Sequence, residues 1–307
     1  MPIMPARDIL EKAFRNGYAV GAFNFVNMEM AQAIIGAANN LHAPVIIQVT
    51  EGAISYAGLS TLVAMVGALT DSVDIPVSLH LDHGHDVQTI ESCIRAGFTS
   101  VMIDASHLPF DENVSITRKV VEMAHSAGVS VEAELGRLEG VEDTVSVNER
   151  DAVLVDPGEA ARFARETNVD SLAPAIGSSH GAFKYKGRAR LDIDRLKKVR
   201  EATGVPLVLH GASSISPELL EEAMAAGMPI GDARGVPEDE IKKAIESGIA
   251  KVNVDTDLRI GFVSALRRAL AKDPAAFDLR KILGPARERV MQIVKERIES
   301  LGSAHQA

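Results

Sequence analysis

Eight short β-branched runs, each trailed by a segment with helical spacing, constrain this 307-residue chain more than any other feature in it. The runs cover 20–25, 43–49, 76–82, 100–105, 130–135, 171–176, 206–209 and 251–255. Between them lie amphipathic segments at 28–40, 59–72, 87–96, 112–127, 158–167, 193–203 and 217–226, with apolar residues at helical intervals such as Val114, Val120, Val121 and Ala124. Gly97, Gly128 and Gly204 stand where three of these helices should stop, as left-handed caps before the next strand. Eight βα units in one chain predict an α/β protein, a (βα)8 TIM barrel. A doubly wound open sheet is the runner-up. Two facts favour the barrel: no GxGxxG follows the first strand, and polar residues end all eight strands instead of clustering at one switch point.

Two regions break the rhythm. Residues 136–151 are acidic and poor in helical pattern, so they read as a mobile loop over the barrel top, and 231–248 carries an extra helix. From 258 to about 301 the chain reads as helical, interrupted at Pro274 and Pro285, an extension expected to cover the barrel base or a subunit contact within a single domain spanning 1–307. With 46% apolar but only 4% aromatic residues, the core should be built from Ala, Val, Ile and Leu. A formal charge of −10 argues against partners such as nucleic acid or an anionic membrane surface. No apolar run approaches the roughly 20 residues of a membrane span, the N-terminus has no signal-like apolar core, and the single Cys93 suits a reducing compartment, so a cytoplasmic protein is expected.

In such a barrel the site is built at the carboxyl ends of the strands. Read in order, those ends carry Asn24, then Gln48 with Thr50 and Glu51, Asp82 with His83, Asp104, Glu134, His180, His210, and Asn253 with Asp255 and Thr256. A lone strand-end histidine is usually structural. Three together (His83, His180 and His210), with the acid Asp82 beside the first, match a catalytic zinc site that keeps one position open. Each is followed by glycine, at 84, 181 and 211, read as allowing close approach of backbone to ligand. His85 reads as a loop residue or outer donor, and His80 as lining the interior. Asp104 and Glu134 are either ion-paired with a rim cation or a second, alternative metal position.

A phosphate site is expected after the seventh and eighth strands, where Gly211, Ala212 and Ser213 offer consecutive N–H groups and a hydroxyl beside Asn253, Val254, Asp255 and Thr256. Gly181 and Lys184 add to it from the sixth loop. Any one of these stretches alone would be an ordinary turn.

The motifs VGAFNF, QVTEGA, LHLDHG, SVMIDASH, SVEAELG, PAIGSSHG, LVLHGAS and KVNVDTDLR, which together cover essentially the whole chain, resemble the class II, metal-dependent fructose-bisphosphate aldolases. The resemblance implies the same barrel, Zn2+ on His83, His180 and His210, and a secondary position at Asp104 and Glu134. It implies Asp82 as acid/base on the aldehyde-side hydroxyl, and Glu142 as the loop acid exchanging the proton at C3 of the triose. Gly181, Gly211, Ser213, Asn253, Asp255 and Thr256 would hold dihydroxyacetone phosphate, Thr50 would lie near the aldehyde-side fragment, and Arg259 would reach the distal phosphate across a subunit contact. A phosphorylated sugar is thus the implied substrate, a monovalent cation a further candidate ion, and a homodimer or homotetramer the implied assembly. Tagatose-bisphosphate aldolases share this framework and differ in the epimer cleaved.

Three other readings compete. A zinc hydrolase of barrel type has no need of the phosphate residues. A Schiff-base aldolase needs a lysine inside the barrel, whereas the sixth strand carries none and Lys251 is read as opening the last strand at the wrong end. A degenerate, non-catalytic subunit would not be expected to keep three histidines and Asp82.

Overall fold

The computed structural model describes residues 3–136, 139–142, 145–147, 154–180, 190–230 and 235–307, with the backbone alone at 139–142, 145–147 and 179–180. Eight parallel strands close into a barrel in chain order: β1 (Val20–Asn24), β2 (Val45–Val49), β3 (Val77–Gly84), β4 (Ser100–Ile103), β5 (Ser130–Leu135), β8 (Ser171–Pro174), β10 (Leu207–Leu209) and β11 (Ile249–Val254). The ring is shut by the first and last strands, with Val20 opposite Lys251 and Phe23 opposite Val254. Every residue of these strands is buried, as it must be in a parallel sheet with helices outside and side chains filling the lumen.

The outer layer comprises α2 (Met28–Asn40), α4 (Leu59–Thr70), α5 (Val87–Ala96), α6 (Phe110–Ser126), α7 (Pro157–Thr167), α8 (Ile193–Thr203), α9 (Pro217–Ala225), α10 (Glu238–Glu246) and α11 (Thr256–Lys272). Local chemistry sets their ends. Asn27, Asp86, Asp156 and Ser216 accept backbone N–H groups at helix starts, the last two just ahead of a proline in the first turn. Gly97 (φ 106°) and Gly204 (φ 68°) close α5 and α8 in the left-handed region, as the sequence predicts. Apolar side chains between sheet and helices form the main core, dominated by Ala, Val, Ile and Leu as the composition requires.

Two expectations are corrected, that the C-terminal helices cover the barrel base and that Pro285 interrupts them. The barrel base is closed by an N-terminal helix, α1 (Ala6–Asn16), whose Ile9, Leu10 and Ala13 pack under Val20, Ile46 and Ala250; Met4 N–H donates to the carbonyl of Val77 and Arg7 N–H to Ser130 Oγ. The C-terminal extension lies elsewhere. Its helix α12 (Leu279–Ser300) fills the gap between α11 and α2. Pro274 does separate α11 from α12, but Pro285 sits inside α12. The described part of 136–151 beyond Gly136 is two short strands: β6 (Glu139–Glu142) pairs antiparallel with β7 (Val145–Val147) and parallel with β9 (Ser179–His180).

Arg297 ties α12 to the barrel top. Its guanidinium donates to the buried Asp257 carboxylate at 2.8 and 2.9 Å and to the carbonyl of Ser214. Among the described residues no single helix is long and apolar enough to cross a membrane.

Candidate active site

A β-bulge builds the centre of the site. Strict alternation would send Asp82 and His83 to opposite faces of β3. The pairing with β4 instead shifts register between Leu81 and Gly84, and His83 adopts φ 46°, a left-handed conformation costing a non-glycine residue about 1–3 kcal/mol. Both side chains are buried and reach one cluster. The bulge also explains Gly84. A Cβ there would stand 2.6 Å from the carbonyl oxygen of Met102 and 2.9 Å from Leu81 and Ile90, so packing against β4 by itself demands the glycine. Gly84→Ala should lower the unfolding free energy by about 1–3 kcal/mol in chemical denaturation; a variant as stable as the parent would show that β4 yields without cost.

Asp82 is held by three amides. Asn24 Nδ2 donates to Oδ2 at 2.9 Å, Gln48 Nε2 to the same oxygen at 3.2 Å, and Asn253 Nδ2 to Oδ1 at 3.0 Å. Gln48 also donates to Asn24 Oδ1 at 2.7 Å, locking the first amide in orientation. Gln48 Oε1 and Asn253 Oδ1 are buried without a hydrogen-bond partner among the described residues. The sequence placed these amides at the rim, but their convergence on one carboxylate needs the closed ring.

The metal-type donors gather beside Asp82. His83 Nδ1 donates to Asp104 Oδ2 at 2.9 Å, and its Nε2 lies 3.9 Å from Asp82 Oδ1. His83 and His210 sit with ring centroids 4.7 Å apart. His210 Nδ1 is 3.2 Å from Glu134 Oε2. Two groups of potential ligand atoms result, Asp82–His83–His210 and His83–Asp104–Glu134, each within 4.8 Å and all buried. Asp104 therefore pairs with His83 and not with a rim cation, and its other oxygen accepts from Ser106 N–H and Oγ. Burial works against its charge, yet the bonds from His83 and Ser106 hold it below the usual carboxylate range. Burial, and then the charge of Asp104, push Glu134 up. Burial disfavours charge on His210, but Glu132 and Glu134 outweigh it and push the ring up to about 9. A cluster of buried acids and imidazoles with opposed shifts is a site that a divalent cation would satisfy.

One layer deeper lies a network the sequence reading missed. Lys251 does not open the last strand but is the third residue of β11, its side chain buried inside the barrel and donating to Glu132 Oε2 at 2.8 Å. An ammonium paired in this way is not a free amine, so its position in the lumen does not revive the Schiff-base reading. His80 lines the interior as expected, 2.7 Å from Ser100 Oγ. Burial, then Lys251, push this ring well below its ordinary range.

The remaining predicted residues divide. Ser213 Oγ accepts from the N–H groups of Asp255 and Thr256 at 3.4 and 3.3 Å, joining the loops after β10 and β11; Ala212 beside it is buried, and Val254 ends β11. Asp255 makes no side-chain cap at the start of α11, so the amides there are not taken by its carboxylate. Thr50 caps α3 (Glu51–Ala57), accepting from Ala53 N–H at 3.2 Å. Arg259 donates to Asp255 of its own chain at 2.8 Å. His85 Nδ1 approaches the carbonyl of Asp104 at 3.3 Å, which suits the outer role expected of it. His180 and Glu142 are described by backbone alone, in β9 and β6, and His180 thus follows the sixth barrel strand by several residues instead of ending it. Gly181 and Lys184 lie outside the described residues.

Comparisons with known proteins identify the family. Residues 4–230 and 231–306 match the family described as fructose-bisphosphate aldolase class-II. A fructose-bisphosphate aldolase of Helicobacter pylori strain J99 is 52% identical over 304 residues, 99% of each chain. That of Thermus caldophilus is 52% identical over 300 residues, 98% of each. Among solved structures, the YdjI aldolase from Escherichia coli K12 superposes with a TM-score of 0.81 at 31% identity, covering 99% of both chains.

Proposed function

The chain belongs to the class II fructose-bisphosphate aldolase family, and from that premise we propose that it reversibly cleaves fructose 1,6-bisphosphate to dihydroxyacetone phosphate and glyceraldehyde 3-phosphate. The observation that carries this reading is the Asp82 carboxylate, fixed by three amides against a cluster of imidazoles and acids. Nitrogen and carboxylate donors in a buried cluster suit zinc, and His83, His180 and His210 would hold it, with Asp104 and Glu134 as the alternative position. Both Asp82 oxygens are already engaged by amides, which favours a base over a ligand. When bound, the metal supplies Lewis-acid stabilisation of the charge that develops on the triose.

Asp82 takes the proton of the C4 hydroxyl; that O–H pair becomes the new carbonyl at C4, and the C3–C4 pair stays with the triose. Glu142 returns a proton to C3. The Gln48 and Asn253 amide oxygens are available to accept sugar hydroxyls, with Thr50 near the aldehyde side. Gly211, Ala212, Ser213, Val254, Asp255 and Thr256, joined by Gly181 and Lys184, would bind the triose phosphate at the start of α11, where a helix N-terminus favours an anion and Ser213 Oγ would release the Asp255 and Thr256 N–H groups to it. Arg259 would reach the distal phosphate only by leaving Asp255.

The chain is further proposed to act in the cytoplasm as a homodimer or homotetramer. Cys93, buried with its thiol pushed up to about 12 by burial, suits a reducing compartment, and the exposed Leu270, Phe277 and Leu279 around the α11–α12 turn suit a subunit contact.

The test is retro-aldol cleavage of fructose 1,6-bisphosphate and tagatose 1,6-bisphosphate, before and after chelation with zinc returned. Cleavage of the fructose ester that disappears with chelator and returns with zinc is expected. Preference for the tagatose ester would transfer the assignment to that epimer, and cleavage of neither by zinc-loaded protein would refute it.

A further inference from the structure

The barrel floor beneath the candidate metal position contains a buried ion pair that the reaction itself does not use. Glu132 and Glu134 are two residues apart on β5 and therefore face the same way, into the lumen, with Glu134 one layer nearer the rim. Each oxygen of Glu132 has one partner: Oε1 accepts from His210 Nε2 at 2.8 Å, and Oε2 accepts from Lys251 Nζ at 2.8 Å. Lys251 in turn stands 3.4 Å from His80 Nε2. Glu132 and Lys251 are each 1% exposed. A buried ion pair of this kind adds little to stability compared with apolar residues of the same volume, so packing alone does not account for it.

We propose that Glu132, anchored by Lys251, is a positioning residue for His210: it retains the Nε2 proton of that ring and thereby directs Nδ1 to the divalent metal. The inference rests on the reading of His210 as a metal ligand. The other edge of the ring has the required surroundings, since Nδ1 is 3.2 Å from Glu134 Oε2 and the ring stands against His83. A histidine whose outer nitrogen is held by a carboxylate has one ring nitrogen and one orientation left for the metal, and loss of such a partner commonly weakens metal binding by about 10–100-fold. Lys251 acts one step further out. With its ammonium on Oε2, the carboxylate cannot rotate away from His210 without exposing a buried charge.

Two double variants test this, each removing both charges together so that neither is left buried alone. Glu132→Leu with Lys251→Met deletes the acceptor for Nε2; Glu132→Gln with Lys251→Met keeps an amide oxygen there. Zinc affinity is read by competition with a chromogenic chelator, and the His210 ring nitrogens by long-range 1H–15N correlation on zinc-loaded protein. The leucine variant should bind zinc about 10–100-fold more weakly and lose the protected Nε2–H signal, and the glutamine variant should recover both to within several-fold of wild type. Wild-type affinity in the leucine variant would overturn the inference. So would a wild-type spectrum with the metal on Nε2 of His210, a result that needs no variant to fold. Failure of wild-type protein to take up zinc at all would instead overturn the metal reading of the site.

Discussion

Asp82→Ala is expected to lower turnover of fructose 1,6-bisphosphate by about 10²–10⁴-fold, the range for loss of a positioned general base, while zinc remains bound. The separation of the two effects follows from the contacts. Asp82 spends its oxygens on Asn24, Gln48 and Asn253, whereas His83 and His210 are oriented by other carboxylates, Asp104 and Glu132. Removing the acid leaves those imidazoles in position. Turnover per zinc-loaded protein, with zinc measured by atomic absorption, is the measurement. Turnover near wild type would remove Asp82 from the chemistry, and loss of zinc in step with turnover would make it a ligand.

Lys251→Met alone should reduce the free energy of unfolding by about 3–5 kcal/mol, the usual cost of leaving one partner of a buried ion pair uncompensated. Among the described residues, Lys251 is the one lysine or arginine that contacts Glu132. Adding Glu132→Leu to Lys251→Met should recover most of the loss, because the stranded charge is then gone too. Equilibrium denaturation of the three proteins checks it; a single variant as stable as the parent would mean that Glu132 is neutral in the folded protein.

Much of this molecule was legible before any coordinates. The eight runs appear as eight barrel strands, and helices such as α2, α5 and α8 fall on their predicted spans, because each carries its own cap and its own periodicity. Asp82, His83, Asp104, Glu134 and His210 converge because strand ends of a closed barrel must converge. What stayed hidden depends on pairing across the ring. The register shift that turns His83 inward is a relation between β3 and β4, and the crowding at Gly84 comes from Met102 on the neighbouring strand.

The Glu132–Lys251 pair left a trace, since SVEAEL holds two acids at strand spacing and KVN a lysine two before Asn253. Reading one layer below the rim would have found it. Arg259 could not be read at all, because a four-residue helical spacing offers Asp255 a partner as readily as it offers a distant phosphate. The place of α12 was equally closed to a linear reading: an amphipathic helix announces that it will pack, not which gap it will fill.

The pairing of β1 with β11 has a consequence for how the molecule is made on the ribosome. Asn24 emerges early in synthesis and Asn253 late, yet both hold the same carboxylate. Until β11 arrives, one edge of β1 is an unpaired strand able to recruit a neighbouring nascent chain. The Asp82 carboxylate therefore cannot gain its full set of amides, nor β1 its second neighbour, until nearly the whole barrel has been synthesised.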